Sequence, residues 1–302
     1  MKYKILALSV VGAILSGCGS DNNNSVPAAS YEIMAFDPAI MGMKGTFSCE
    51  NGVTGQLEAT SFSGVSKVDE PTVVNSPDTC SFAYNATADA VDVSNGKDMS
   101  KVSYKFPKGL ATLGTTATAS PISTLIEKEL GGVSYNDSVG SDVLVALGLG
   151  ELLNNGTISS IGDFLRRTEE VIKTLPASEA SLVSATAAVL SDVLVVSPNA
   201  TANELALATD SITKKVISEN PNYPEAPSGD TIYLDLTEDP TLIKEAVKDP
   251  TAPVGDLPPA KPAEPVPDPD EPTDPTDPTD PTGGTGGTGG TGGGGNGGGT
   301  GG

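Results

Sequence analysis

Ser120-Pro121-Ile122-Ser123-Thr124-Leu125-Ile126-Glu127-Lys128-Glu129-Leu130 is where the apolar spacing of this 302-residue chain lengthens from two residues to between three and four. Serine followed by proline opens a helix well. The serine side chain accepts from an orphan backbone N–H, and proline at the first turn gives up no needed donor. Ile122, Leu125, Ile126 and Leu130 then share one helical face, and Gly131-Gly132 ends it. Strands are expected before this stretch and helices after it.

Downstream, Val143, Leu144 and Leu147 predict a short helix, and Ile158, Ile161, Leu165, Ile172 and Leu175 a longer one ending at Pro176. Ser178 opens another, with Leu182, Val189, Val193 and Val196 on a face and Pro198 closing it. Leu205, Ala208, Ile212 and Val216 mark a fifth that stops before Pro221. Five amphipathic helices with short connectors predict an all-α helical domain over 118–248. Within it, Ile232 to Leu236 suits one more strand and Thr237 to Val247 a capped last helix. Residues Ser120 to Leu130 are also similar to a helical opening that follows β modules in bacterial surface proteins. That similarity implies the β-then-α order and no activity.

Upstream, residues 31–115 read as a β domain. Thr46 to Cys49 and Val53 to Leu57 flank Glu50-Asn51-Gly52, and Ser81 to Tyr84 alternate beside Cys80. Ala90 to Val93 and Val102 to Phe106 flank a turn containing Asn95-Gly96, a strong hairpin signal because both residues tolerate positive φ. Short strands at this spacing predict a small antiparallel sandwich or barrel, with Phe36, Phe47, Phe62, Phe82 and Phe106 as its core. The expected fold class is therefore α+β: a disulfide-linked β domain, a helical domain and a disordered tail.

The first seventeen residues have a different character. Lys2 and Lys4 precede an apolar run from Ile5 to Leu15, followed by Ser16, Gly17 and Cys18. About a dozen apolar residues cannot span a bilayer, which takes about twenty, so the run reads as a secretory signal. Leu15-Ser16-Gly17-Cys18 resembles the lipobox of bacterial lipoproteins. The resemblance implies cleavage before Cys18 and acylation of its thiol, giving a membrane-anchored mature protein; several acyl chains hold stably where one does not. In that family an aspartate after the cysteine retains the protein at the inner membrane, so Gly19 implies the outer one. Residues 18–30 then form a polar tether.

Cys49 and Cys80 are the other two of three cysteines. In an exported protein they are expected to pair, closing a loop worth roughly 3–4 kcal/mol in the chain-entropy model. The net charge of −22 argues against nucleic acid as a partner and against recruitment to anionic lipid by charge, because binding to phosphate calls for Lys and Arg. Histidine is absent, and with it the commonest general base and transition-metal ligand. No run after the signal is expected to span a membrane, since Ser184, Thr186, Ser191 and Asp192 interrupt Leu182 to Val196. Residues 249–302 are rich in proline, acid and then Gly-Gly-Thr repeats, and are expected to be disordered. Asp274, Asp277 and Asp280 recur every third residue, roughly 9 Å apart in a polyproline II helix, too far apart for neighbours to chelate one Ca²⁺.

Patterns for chemistry are sparse. Ser211-Ile212-Thr213-Lys214 matches the Ser-x-x-Lys of penicillin-recognising enzymes without the companion motifs. Asp92 to Asp98 faintly echoes a calcium loop but lacks the downstream glutamate and suits a hairpin turn better. The chain is expected to have no catalytic, cofactor or metal residues. It reads as a non-enzymatic, lipid-anchored cell-surface protein of attachment, surface layer or matrix. Its expected partners are the membrane, through Cys18, and another protein or surface polymer. The alternative is a periplasmic accessory lipoprotein scaffolding an envelope machine or transporter.

Overall fold

The computed structural model describes residues 29–269, so the signal, Cys18, most of the tether and the Thr-Asp-Pro and Gly-Thr repeats lie outside the described residues. The chain begins with β1 (Tyr31–Ala35), β2 (Ile40–Met41), β3 (Lys44–Cys49), β4 (Thr54–Leu57) and β5 (Val65–Val68). A short helix α1 (Pro71–Asn75) precedes β6 (Cys80–Asn85), β7 (Val91–Asp92), β8 (Tyr104–Phe106) and β9 (Ala117–Ala119). Two main sheets result. One is antiparallel in the order β4-β3-β6-β8, and the other runs β5-β1-β9.

The alternation of buried and open positions along β3 and β6 comes from the period of two in Thr46 to Cys49 and Ser81 to Tyr84. Phe47, Phe82 and Phe106 are buried as expected, along with Phe36, whereas Phe62 is half-buried. The two sheets meet through side chains: the Tyr31 and Phe82 rings stack 6.0 Å apart, and the buried Tyr84 hydroxyl donates to the Ile33 carbonyl at 2.9 Å. Cys49 and Cys80 lie directly opposite each other in the β3–β6 register and form the disulfide.

Two strand expectations fail. The first is the Asn95-Gly96 hairpin: β7 pairs with β2, and β8 with β6, instead of with each other. The turn itself forms, with Gly96 at φ 77°, but the Asp92 carboxylate draws in Ser94 and Asn95 and closes it early. Only a single bridge, Val91 to Asp98, spans its ends before the chain leaves. The second is all-antiparallel pairing. β9 lies parallel to β1, with Ile33 opposite Ala117, a contact made by a segment that leads straight into the first long helix.

That helix, α2 (Pro121–Leu130), has the predicted start and stop. Ser120 Oγ accepts from the Ser123 N–H, Ser123 Oγ accepts in return from the Ser120 N–H, and Gly131 adopts the left-handed conformation at the end. It is followed by α3 (Asp137–Ala146), α4 (Gly150–Asn154), α5 (Ile161–Arg166), α6 (Thr168–Thr174), α7 (Ala177–Val196) and α8 (Ala202–Glu219). The expected single helix through Ile161 and Ile172 is two, broken where Arg167 leaves helical geometry at φ −127° and ψ 45°; its guanidinium pairs with Asp163 and Glu170. After β10 (Ile232–Tyr233) comes α9 (Pro240–Lys248), then β11 (Lys261–Pro262) paired with β10.

By length and composition α7 could cross a membrane, contrary to the expectation drawn from its polar residues. Here it is a core helix, with Val183, Val189, Leu190 and Val193 buried against the same cluster as Ile33 and Phe82. The strands and helices share that one cluster, so the expected β and helical domains are parts of one compact unit reaching Val266. The unit therefore extends past the tail boundary expected at 249. Prolines along 261–266 suit an edge position, where only some N–H groups are needed. Those of Ala263, Glu264 and Val266 donate at 2.9 Å to Thr231, Asn95 and Val93 carbonyls.

Candidate functional site

The densest concentration of buried ionisable groups lies where the β7 turn meets α7. Asp92 accepts from the Ser94 N–H at 2.8 Å, the Ser94 hydroxyl at 2.7 Å and the Asn95 amide at 2.7 Å, while Asn95 Oδ1 takes the Lys97 N–H at 2.8 Å. The turn so closed points Lys97 inward. Its Nζ donates to Asp192 Oδ1 at 2.6 Å and to the Leu234 carbonyl at 3.0 Å, and Asp192 Oδ2 accepts the Leu236 N–H at 2.8 Å. The two side chains are only 9% and 2% exposed, so this pair is closed to solvent.

A second set of polar groups adjoins it. The Tyr104 hydroxyl, on β8, donates to Asp37 Oδ2 at 2.6 Å and lies 2.7 Å from Ser191 Oγ, the neighbour of Asp192 on α7. Burial pushes Asp37 up to about 7 and Asp92 up to about 6, because removal from water disfavours the charged carboxylate. Burial raises Asp192 as well. For Lys97, burial pulls the other way, but the Asp192 carboxylate, helped by Asp37 and Asp235, holds the ammonium above its ordinary range.

Asp37 also lies at the edge of a groove of about 240 Å³, walled mainly by Phe36, Pro38, Ile172, Ala187, Ala188 and Ile232, with Glu169 and Lys173 among its lining residues. A larger hollow of about 540 Å³ lies beside β5 and α5, where Arg166 and Arg167 share the wall with Asp163, Glu169 and Glu170. The arginines are committed: Arg166 donates to the Leu110 carbonyl and Arg167 pairs with Asp163 and Glu170. The buried seam can thus store a proton near neutral pH, while the groove offers apolar contact beside an acid.

The residues singled out in sequence fare differently. Cys49 and Cys80 are bonded, whereas Cys18 lies outside the described residues. Lys214 is exposed and donates to Asp210 at 2.7 Å, one helical turn back, which makes it an ordinary surface ion pair and leaves it no visible role in activating Ser211. Asp92 spends its oxygens on its own turn, consistent with a turn rather than a calcium loop. Among the described residues no cluster of three or more Asp, Glu, Cys or His side chains is assembled to hold a metal. Lys97, Asp192, Asp37 and Tyr104 were not singled out as a site. The one hint was Asp192 itself, a charge inside an otherwise apolar helix, and a sequence does not say which cation meets it. No known family model matches this chain, and no curated protein or solved structure is significantly similar to it.

Proposed function

We propose that this chain is a non-enzymatic lipoprotein, held at the outer membrane through acylated Cys18 and presenting its folded unit at the cell surface for attachment or matrix contact. The observation that carries this reading is the Cys49–Cys80 disulfide. Disulfides of this kind persist in oxidising compartments, which fits export. With two of the three cysteines consumed, Cys18 is left at the end of the lipobox-like run, with no third thiol in the folded unit.

The non-enzymatic part is supported by how the ionisable groups are used: Lys97, Asp192 and Asp92 spend their hydrogen bonds on their own protein neighbours. The two main sheets, read as a small sandwich through the Tyr31–Phe82 stack, would supply the rigid body that such a protein displays. Protease treatment of intact cells followed by mass spectrometry tests the placement. Peptides from the helical part released without breaking the outer membrane support display outside. Protection until the membrane is permeabilised overturns surface display in favour of a periplasmic scaffold.

A further inference from the structure

The Lys97–Asp192 contact has the features of a reactive pair as well as those of an ion pair. The amine nitrogen is held 2.6 Å from one carboxylate oxygen, and its second bond, to the Leu234 carbonyl, fixes its approach. The other carboxylate oxygen receives the Leu236 N–H at 2.8 Å. That donor would stabilise negative charge developing on Oδ2 if nitrogen added to Cγ. Enclosure keeps out the water that would reverse a condensation, and the Leu234 carbonyl and Leu236 N–H hold the two groups in place.

We propose that Lys97 and Asp192 condense to an intramolecular amide, a covalent staple between the β7 turn and α7. The ammonium passes a proton to Oδ1, giving a neutral amine and a carboxylic acid. The nitrogen lone pair then forms the Nζ–Cγ bond, and the electron pair displaced onto Oδ2 is held by the Leu236 N–H. Collapse breaks Cγ–Oδ1, and Oδ1 departs as water with its own proton and a second one from nitrogen. Ammonium plus carboxylate thus becomes amide plus one water, with no oxidant or outside reactant. The Tyr104 hydroxyl connects Asp37 to Ser191, the chain neighbour of Asp192, so a further proton-holding group lies nearby. Burial favours the proton on Asp37 up to about pH 7.

The product would tie together residues 95 positions apart, joining the β-rich part to the helical part by a bond that neither reductant nor denaturant breaks. Full-length protein extracted in detergent, reduced, alkylated and digested with trypsin gives the test. An amidated Lys97 is no longer a trypsin site, so residues 68–101 and 174–214 should appear as one linked species, lighter than their sum by one water. Fragmentation should place the link at Lys97 and Asp192, and Lys97→Arg should abolish it. Cleavage after Lys97, with both peptides found separately at full mass, would overturn the proposal and leave an ion pair.

Discussion

The β-rich part and the helical part are held by contacts of different reach. In the strands, Ile33 pairs with Ala117 and Cys49 is bonded to Cys80, so the fold depends on segments that meet only after long stretches of chain. In the helices, much of the specification is local. α2 is closed by Ser120 and Ser123 within one turn, and α8 (Ala202–Glu219) by Thr201 and Glu204. Where the two parts meet, distant polar groups do the joining: Lys97 to Asp192, Tyr104 to Asp37, and Ser123 Oγ, which donates to the Lys105 carbonyl at 2.6 Å. The difference teaches that the helical part supplies its own ends and the β part borrows its stability from elsewhere.

The largest effect is expected at that junction. Lys97→Met leaves the Asp192 carboxyl without a partner in an enclosed site, and the loss of the ion pair alone, before any amide has formed, costs about 3–5 kcal/mol. Urea unfolding should show the midpoint falling accordingly. By contrast Lys173→Ala, which removes an exposed pair with Glu169, should change stability by less than about 0.5 kcal/mol. Next comes the disulfide. Cys49→Ala with Cys80→Ala releases a loop spanning 31 positions and should cost roughly 3–4 kcal/mol in the same assay.

Asp37 sharpens the comparison through pH. Its pKa is raised by burial from 3.8 to about 7, so the native state holds this proton more tightly than the unfolded chain does. The stability it contributes is complete below about pH 4 and is lost as the pH rises through 7. Asp37→Asn, which carries no such proton, should flatten that fall in melting temperature. Asp92, raised to about 6, acts in the same direction and leaves a smaller slope in the variant. The smallest effect of this series at the junction belongs to the cap. Ser120→Ala should cost about 1 kcal/mol, read from the same unfolding curves.

How much of this was legible follows from the same contrast. Ser120-Pro121, Gly131-Gly132 and Pro198 mark helix ends by residue type alone, and the cysteine pair is arithmetic within an exported chain. The Asn95-Gly96 turn was legible as a turn, but not that Asp92 would tighten it and send β8 to β6. Arg167 gave no helix-breaking signal because arginine suits a helix, and its acidic partners at Asp163 and Glu170 stand at the spacings an unbroken helix would use. The proline-rich segment 261–266 reads as tail by composition, yet three backbone N–H groups and the Lys261 pairs with Asp235 and Glu238 lay it along the fold. The buried seam was the least legible feature, since each of its partners is distant in sequence.

The shared core makes the two parts one compact unit that should unfold cooperatively, and hydrogen exchange by mass spectrometry near the urea midpoint tests this most directly. Peptides from β3 and from α7 should lose protection together, in one step of the same amplitude and rate. Peptides from β3 exchanging fully while α7 stays protected would show two independent domains and contradict the shared core.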